Sequence, residues 1–154
     1  MMYIADYTKW KSLLFVIPIY NELENRKFMQ FREDILAVNP KMVMNAIRWN
    51  HDKKAVKAKE YQRVANEWNY ADFNWLGKHR NFGIEDYFKR PYDAMILLCD
   101  DMPANAMKIV KQSQATLKIG FDENLTEFDV VLKSENNDLQ HRLDLVRRYF
   151  MLRN

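Results

Sequence analysis

Two segments of the chain are apolar at every position, and they dominate the interpretation of the sequence. Leu13–Pro18 (LLFVIP) and Ala94–Cys99 (AMILLC) have the length of a strand and are far shorter than the roughly 20 residues that cross a bilayer. A strand can be apolar throughout only when both of its faces are covered, as in a parallel sheet between two helix layers. We therefore predict that both segments are central strands of such a sheet.

The segments between these strands alternate between helical and strand patterns. Asn21 and Glu24 have capping-box spacing, and the apolar positions after them recur at helical spacing as far as Asn39-Pro40. Met42–Trp49 predicts the second strand, and the stretch after Asp52 predicts a helix with a buried stripe. That stripe consists of Ala58, Tyr61, Ala65 and Trp68.

The third strand, predicted at Tyr70–Phe73, is more polar than the others and is therefore expected at an edge. A short helix is predicted around Ile84–Lys89. After the fourth strand, Asp100-Asp101 and Pro103 predict the start of a helix, because Asp is a favoured N-cap and Pro suits a first turn. This part of the chain therefore continues the alternation of strand and helix.

The C-terminal part predicts two further strands, Ala115–Phe121 and Phe128–Leu132, and a last helix that Asn137 and Gln140 can cap. The whole pattern predicts an α/β fold with a Rossmann-like, doubly wound, mainly parallel sheet of five or six strands and helices on both faces. A strand order of 3-2-1-4-5-6 places the two apolar strands side by side at the centre.

Composition narrows the class of protein. The 154 residues are 48% hydrophobic and 29% charged, as in a globular domain, and three glycines with four prolines provide no flexible linker. We therefore expect a single α/β domain over residues 1–154. Cys99 alone cannot form an internal disulfide, and residues 1–11 lack the apolar core of a signal peptide, so we expect a cytoplasmic protein.

Several common chemistries need residues that this chain lacks. Dinucleotide and P-loop sites require glycines in a βα turn so that the backbone can approach phosphates, and the only glycines are Gly77, Gly83 and Gly120. The three histidines are far apart in the sequence and have no second ligand at metal-binding spacing. We therefore expect no cofactor and no metal ion.

Three stretches resemble an uncharacterised family of small bacterial α/β proteins. They are Asp72–Lys78 (DFNWLGK), Pro91–Leu98 (PYDAMILL) and Ala115–Phe121 (ATLKIGF), and the overlap covers most of the chain after the first strand. This family has no assigned activity, so the resemblance implies a fold and leaves the function open.

The second half is also loosely similar to the acceptor-side domain of heptosyltransferase-like glycosyltransferases. Those domains have a strand opened by Tyr-Asp, as at Tyr92-Asp93, then a helix and a strand that ends near Ile-Gly, as at Ile119-Gly120. The first βα turn, Pro18–Asn21, departs from them because it lacks their Gly-Asp. The resemblance therefore implies a shared architecture, with a degenerate glycosyltransferase-like enzyme domain as an alternative function.

Ligands of open α/β sheets bind at the carboxyl ends of the strands, where the connections diverge to opposite faces. In the predicted order, this point lies between the loops after the first and fourth strands. The candidate ligand-binding residues there and in neighbouring loops are Tyr20, Asn21, Asn74, Trp75, Asp100 and Asp101. Aromatic groups beside hydrogen-bonding side chains suit a sugar or a planar ring. In the alternative interpretation, Asn21 and Asp101 only cap helices, and no residue is assigned a catalytic role.

The last helix predicts a second contact surface. Leu145, Tyr149 and Leu152 lie beside its core stripe, so it is a candidate contact for a homo-oligomer or a protein partner, unless it lies deeper in its own domain. The leading functional hypothesis is a non-catalytic or accessory intracellular domain that binds a partner or small ligand. Weak nucleic-acid binding through the mixed-charge segment Arg48–Arg63 is third, after the enzyme alternative, and no membrane association is expected.

Overall fold

A computed structural model describes residues 9–134 and 137–151 of the chain. The strands are β1 (Ser12–Pro18), β2 (Val43–Asn50), β3 (Glu67–Asn69), β4 (Ala94–Leu97), β5 (Leu117–Gly120) and β6 (Val130–Val131). The α-helices are α1 (Glu22–Val38), α2 (Lys53–Lys57), α3 (Phe82–Lys89), α4 (Ala104–Lys111) and α5 (Leu139–Met151), and a 3₁₀ helix spans Tyr70–Asp72. None of the described helices has the length and apolar content needed to cross a bilayer.

The six strands form one parallel sheet in the order β3-β2-β1-β4-β5-β6. β1 lies at the centre between β2 and β4, with Leu13 opposite Ala94 and Val16 opposite Leu97. The predicted Rossmann-like fold and strand order are confirmed, as is the edge position of the third strand. The two apolar strands are central because they are the ones that helices cover on both faces.

Alternate residues of β1 enter two separate cores. Phe15 faces α1 and α5 and makes edge-to-face contacts with Phe28 and Phe31, at ring-centroid distances of 5.0 and 6.0 Å. Leu14 and Val16 face the other side of the sheet, which α3 and α4 cover. The chain therefore leaves β1 toward one face and β4 toward the other.

The segment between β2 and β3 differs from the prediction. The expected helix is a short one, α2, and most of its expected apolar stripe lies in the loop beyond it, whereas Trp68 is fully buried in β3. The third strand lies at residues 67–69 instead of 70–73, where the chain forms the 3₁₀ helix. A hydrogen bond from Tyr61 to Glu67 holds the loop, so polar contacts override the helical spacing of apolar residues.

The predicted cap of α4 is wrong. Pro103 occupies the N-cap position, so neither Asp100 nor Asp101 caps this helix. Asp101 has a φ of +52°, in the left-handed region that Asp tolerates better than most residues. The chain therefore needs an additional tight bend between β4 and α4.

The start of α5 also differs in detail. The carboxylate of Asp138 accepts a hydrogen bond from the backbone of the first turn, a role predicted for Asn137. Leu145 and Tyr149 are half-buried in their own domain, and Leu152 lies outside the described residues. A partner contact through this helix stays a prediction.

Candidate functional site

The loops after β1 and β4 meet at the carboxyl edge of the sheet. Because α1 and α4 lie on opposite faces, the chain diverges there, and such a switch point is where open α/β sheets bind ligands. Tyr20 follows β1, and Asp100 and Asp101 follow β4. The structure therefore brings three of the predicted site residues to the same edge of two adjacent strands.

Asp100 forms a bidentate ion pair with Arg142 of α5. Nη1 and Nη2 of the guanidinium lie 3.0 and 2.9 Å from the two carboxylate oxygens. The guanidinium also lies 5.0 Å from the centroid of the Phe121 ring and donates a hydrogen bond to Asn137 Oδ1. Arg142 is only 5% exposed. Since an unpaired buried cation is costly, Asp100 helps to fix α5 against the strand ends.

Arg142 is a candidate residue that the sequence pattern could have revealed. It lies three residues after Leu139 and four before Val146, which are both buried core positions of α5. Residues three and four apart share a face of a helix, so Arg142 belongs to the buried face. A charged side chain on that face needs a charged partner, and the partner is Asp100.

Tyr20 places a buried hydroxyl beside this ion pair. Its ring packs on Phe28 with 5.9 Å between the centroids, and its hydroxyl has no hydrogen-bond partner within the described residues. Burial raises the pKa of Tyr20 far above its ordinary value, Cys99 and Glu24 raise it further, and Arg142 partly opposes them. The phenol therefore stays neutral and keeps its proton at neutral pH.

The Cys99 thiol lies at the same edge. Burial raises its pKa, Asp100 raises it further, and Arg142 acts in the opposite direction. The thiol therefore keeps its proton at neutral pH and is a poor nucleophile. Both acidic protons of this edge, on Tyr20 and Cys99, stay in place.

A cavity of about 370 Å³ opens beside these residues, at the carboxyl ends of β4 and β5. Its polar wall includes Asp100, Asp101, Asp122 and Asn124, and its apolar wall includes Met102, Met107 and Phe121. Asp122 Oδ1 accepts a hydrogen bond from the backbone N–H of Asn124, which fixes the loop after β5. Lys111 is the one cation among the described residues that line it, so three carboxylates share the cavity with one ammonium group.

Gly120 allows the loop after β5 to close over the end of this strand. A Cβ atom at this position would lie 2.5 Å from Cδ1 of Leu125 and 3.0 Å from Cδ2 of Phe128. Carbon atoms cannot approach so closely without strain, so a larger residue would displace the loop. The shape of the cavity therefore depends on a glycine here.

A larger groove, of about 560 Å³, lies between α3 and α4 at the amino ends of β4 and β5. Its lining includes Phe88, Ile109, Lys111 and Lys118. The ammonium of Lys118 donates to the backbone carbonyl of Lys111 at 2.8 Å, so polar groups of the groove satisfy one another. We place the candidate site in the smaller cavity because parallel sheets present their ligand-binding loops at the carboxyl ends.

The other predicted site residues are engaged elsewhere. Asn21 caps α1 as predicted, with its Oδ1 accepting from the Glu24 N–H at 2.8 Å. Asn74 Oδ1 accepts from two backbone N–H groups of its own turn, both at 2.9 Å, and the exposed Trp75 lies in the same turn. This turn follows β3, which is three strands away from β4, or about 14 Å at the usual strand spacing.

A second polar cluster, at the carboxyl ends of β2 and β3, was not predicted. Buried Glu67 accepts hydrogen bonds from the Tyr61 hydroxyl, from Asn69 Nδ2 at 2.7 Å and from the Val64 N–H at 3.2 Å. Burial acts to raise the pKa of Glu67, but these hydrogen bonds outweigh it and hold the pKa below its ordinary value. Burial and the bond to Glu67 raise the pKa of Tyr61.

Arg63 closes this second cluster. Its guanidinium makes a bidentate pair with Asp72, at 2.7 and 3.2 Å, and donates to Asn69 Oδ1 at 3.3 Å. In the part of the chain that the structure describes, every buried side-chain nitrogen and oxygen of this cluster has a partner. The cluster therefore fixes the loop before β3 and presents no unused polar group.

Buried His79 is also structural. Its Nε2 accepts a hydrogen bond from Trp68 Nε1–H at 2.9 Å, and its Nδ1 lies 3.1 Å from Glu85 Oε1, so we assign the ring proton to Nδ1. Across residues 9–134 and 137–151, no three His, Cys, Asp or Glu side chains are grouped so that they could hold a metal ion.

The comparisons with known proteins give a family and no activity. The model of a family of unknown function (DUF6913) matches residues 5–151. No curated protein and no solved structure matches the chain. The function must therefore be inferred from the residues of the site.

Proposed function

The chain belongs to this family of unknown function, and we propose that it binds a small polar ligand in the cavity beside Asp100 and Asp101. The observation that carries the proposal is the cavity itself. It is a space of about 370 Å³ in which carboxylates, an aromatic ring and methionine side chains converge at the carboxyl ends of β4 and β5, next to the switch point of the sheet.

The charges of the cavity define the class of ligand. Asp100 is neutralised by its arginine partner, which leaves Asp101 and Asp122 facing Lys111. Carboxylates accept hydrogen bonds and donate none, so the ligand must supply hydroxyl or ammonium donors. Phe121 adds an apolar surface that suits the C–H face of a sugar or a planar ring. We expect a neutral or cationic compound rich in hydroxyl or amino groups, because two carboxylates repel a phosphate.

Binding is favoured over catalysis by the state of the protons at the site. Acid–base catalysis at neutral pH needs a group that gains and loses a proton near that pH. The phenol of Tyr20 and the thiol of Cys99 keep theirs. Among the described residues that line the cavity there is no histidine or serine. The carboxylates can orient a ligand without reacting with it.

Thermal unfolding of the full chain with sugars, polyols, amines, sugar phosphates and nucleotides tests the proposal, since a bound ligand raises Tm by mass action. Asp101→Asn removes one carboxylate charge from the cavity and should remove most of the shift. Asp52→Asn is the matched control. Asp52 caps α2 through the Ala55 N–H at 2.9 Å, and Asn caps about as well as Asp.

Three results would contradict the proposal: no shift with any compound class, a shift that survives in Asp101→Asn, or a shift lost equally in Asp52→Asn. Stabilisation by a nucleotide sugar together with release of its sugar would instead favour the glycosyltransferase-like alternative. Product release is therefore measured by chromatography in the same samples.

A further inference from the structure

The turn beyond β3 is held by hydrogen bonds and ring contacts, and we name residues 73–79 the tip hairpin. Phe73 and His79 form its base through an antiparallel bridge, and both rings pack against the buried Trp68. Asn74 exchanges backbone hydrogen bonds with Gly77 and Lys78, each at 2.8 Å. The φ of +79° at Gly77 is one that glycine adopts without strain. The tip is therefore an ordered structure anchored in the core.

This ordered tip presents large apolar side chains to solvent. Trp75 is 91% exposed and Leu76 is 71% exposed, and Phe82, three residues beyond the hairpin, is 77% exposed. By contrast, Trp49 and Trp68 are buried. Side chains exposed to this degree add almost nothing to the stability of their own domain. Their exposure on a turn that is anchored in the core suits contact with an apolar phase outside the protein.

The exposed charges within the tip hairpin and just after it are positive, whereas the acidic side chains beside its base, Asp72 and Glu85, contact Arg63 and His79. Between Phe73 and Ile84 the sequence has no acidic residue, and it has two cations, Lys78 and Arg80, both exposed. Just before the hairpin, the ammonium groups of two exposed lysines of α2 lie 5.9 and 5.7 Å from the centroid of the Tyr70 ring. The complementary surface is therefore anionic as well as apolar.

We propose that the tip hairpin docks on the anionic surface of a lipid bilayer. Trp75 and Leu76 enter the boundary between headgroups and acyl chains, where tryptophan is enriched, and Lys78 and Arg80 lie at the level of the lipid phosphates. A projecting tip fits a deformable lipid surface, whereas a protein partner would need a matching pocket. Nucleic acid would stack on Trp75 but leave Leu76 without a partner. This proposal is independent of the ligand site and revises the expectation of no membrane contact.

Co-sedimentation of the full chain with phosphatidylcholine vesicles, with and without phosphatidylglycerol, tests the proposal. We expect binding only with phosphatidylglycerol, and a blue shift of tryptophan emission from Trp75. The double variant Trp75→Ser/Leu76→Ser should lose binding. Leu23→Ser, at a 60% exposed leucine of α1, is the matched control and should bind as the wild type does. Lys78→Gln/Arg80→Gln should weaken partitioning about thirtyfold, the effect expected for two interfacial cations.

Other outcomes overturn the proposal. They are absence of binding at any phosphatidylglycerol content, equal binding to neutral vesicles, and unchanged binding by the Trp75→Ser/Leu76→Ser variant. Light scattering on the same proteins tests for contact with a second copy of the chain, and a single-stranded DNA titration tests for contact with nucleic acid. A further outcome is that the wild type fails to bind vesicles while the double variant loses self-association or DNA binding that the wild type shows. In that case the hairpin contacts a second copy or nucleic acid, and the lipid assignment is wrong.

Discussion

The carboxyl edge of the sheet carries two polar clusters that differ in how completely their groups are paired. Beside β3, Glu67 accepts hydrogen bonds from Tyr61 and Asn69, and Asp72 accepts hydrogen bonds from Arg63. Beside β1 and β4, the hydroxyl of Tyr20 and Nε of Arg142 have no partner within the described residues. There Asp101 lines a cavity. A left-handed φ occurs in both regions, at Asn66 beside the first cluster and at Asp101 beside the second.

The difference distinguishes a cluster that stabilises the fold from one that is available for binding. Buried polar groups in folded proteins are nearly always paired, so an unpaired one beside a cavity calls for an explanation such as a bound molecule. Both clusters use the same kinds of residue on the same edge. The one beside β3 is closed by its own loop, whereas the one beside β4 borders a cavity that is lined by the side chains of Asp101 and Asp122.

The largest expected effect is in the closed cluster. Glu67→Ala leaves the buried Asn69 amide and the partly exposed Tyr61 hydroxyl and Val64 N–H without their acceptor. An unpaired buried group costs about 1–3 kcal/mol and a partly exposed one less, because water replaces the acceptor, so we expect a loss of about 3 kcal/mol in urea unfolding. Glu67→Gln keeps an acceptor oxygen and should lose about half as much. Equal stability of the two variants would show that the network does not hold the loop.

Removal of Asp100 should have a smaller effect. Loss of one partner of a buried pair costs about 3–5 kcal/mol, but Asp100 is 43% exposed, so water replaces it in part and we expect about 2 kcal/mol for Asp100→Ala. The double variant Asp100→Ala/Arg142→Met removes the unpaired cation and should recover at least half of this loss. Strictly additive losses in urea unfolding would mean that the two side chains do not depend on each other.

Acid unfolding tests the cluster beside β3 in another way. The pKa of Glu67 is lowered from 4.5 in the folded protein, so its ionised form favours folding. This contribution is complete above the pKa of the unfolded chain and is lost as the pH falls through the folded pKa. Stability of Glu67→Gln should therefore fall less steeply with acid than that of the wild type, with Tyr61→Phe intermediate. The free energy of unfolding is measured with urea at pH values around and below 4.5. If that of Glu67→Gln falls as steeply with acid as that of the wild type, ionised Glu67 does not stabilise the fold.

The smallest effects are expected at Asp101, where ligand binding and stability should separate. Glycine adopts a positive φ freely, so Asp101→Gly should change stability by less than about 0.5 kcal/mol. Asp101→Ala should lose about 1 kcal/mol, because a left-handed conformation is strained for alanine. Both variants should lose the ligand-induced shift in Tm. A large loss of stability in Asp101→Gly would make the carboxylate structural, and the open cluster would then resemble the closed one.

The architecture follows from the pattern of apolar and polar residues along the chain. The apolar runs at β1 and β4 can exist only where helices cover both faces, so burial fixed their central position. The capping box of Asn21 and Glu24 could also be predicted from the sequence, because the two residues that exchange its hydrogen bonds lie three positions apart. Such features depend on neighbours along the chain or on the general need for burial, and both are visible in the pattern of residues.

The details of the site depend on contacts between residues that are far apart in the sequence. Asp100 and Arg142 are 42 residues apart, and nothing in either local segment specifies that they meet. The loop before β3 has the apolar spacing of a helix, yet hydrogen bonds from Tyr61 and Arg63 to residues of the sheet edge prevail over that spacing. The physical reason is that hydrogen bonds and ion pairs act over a few ångströms in space, so which groups satisfy one another is decided when the strands and α5 come together.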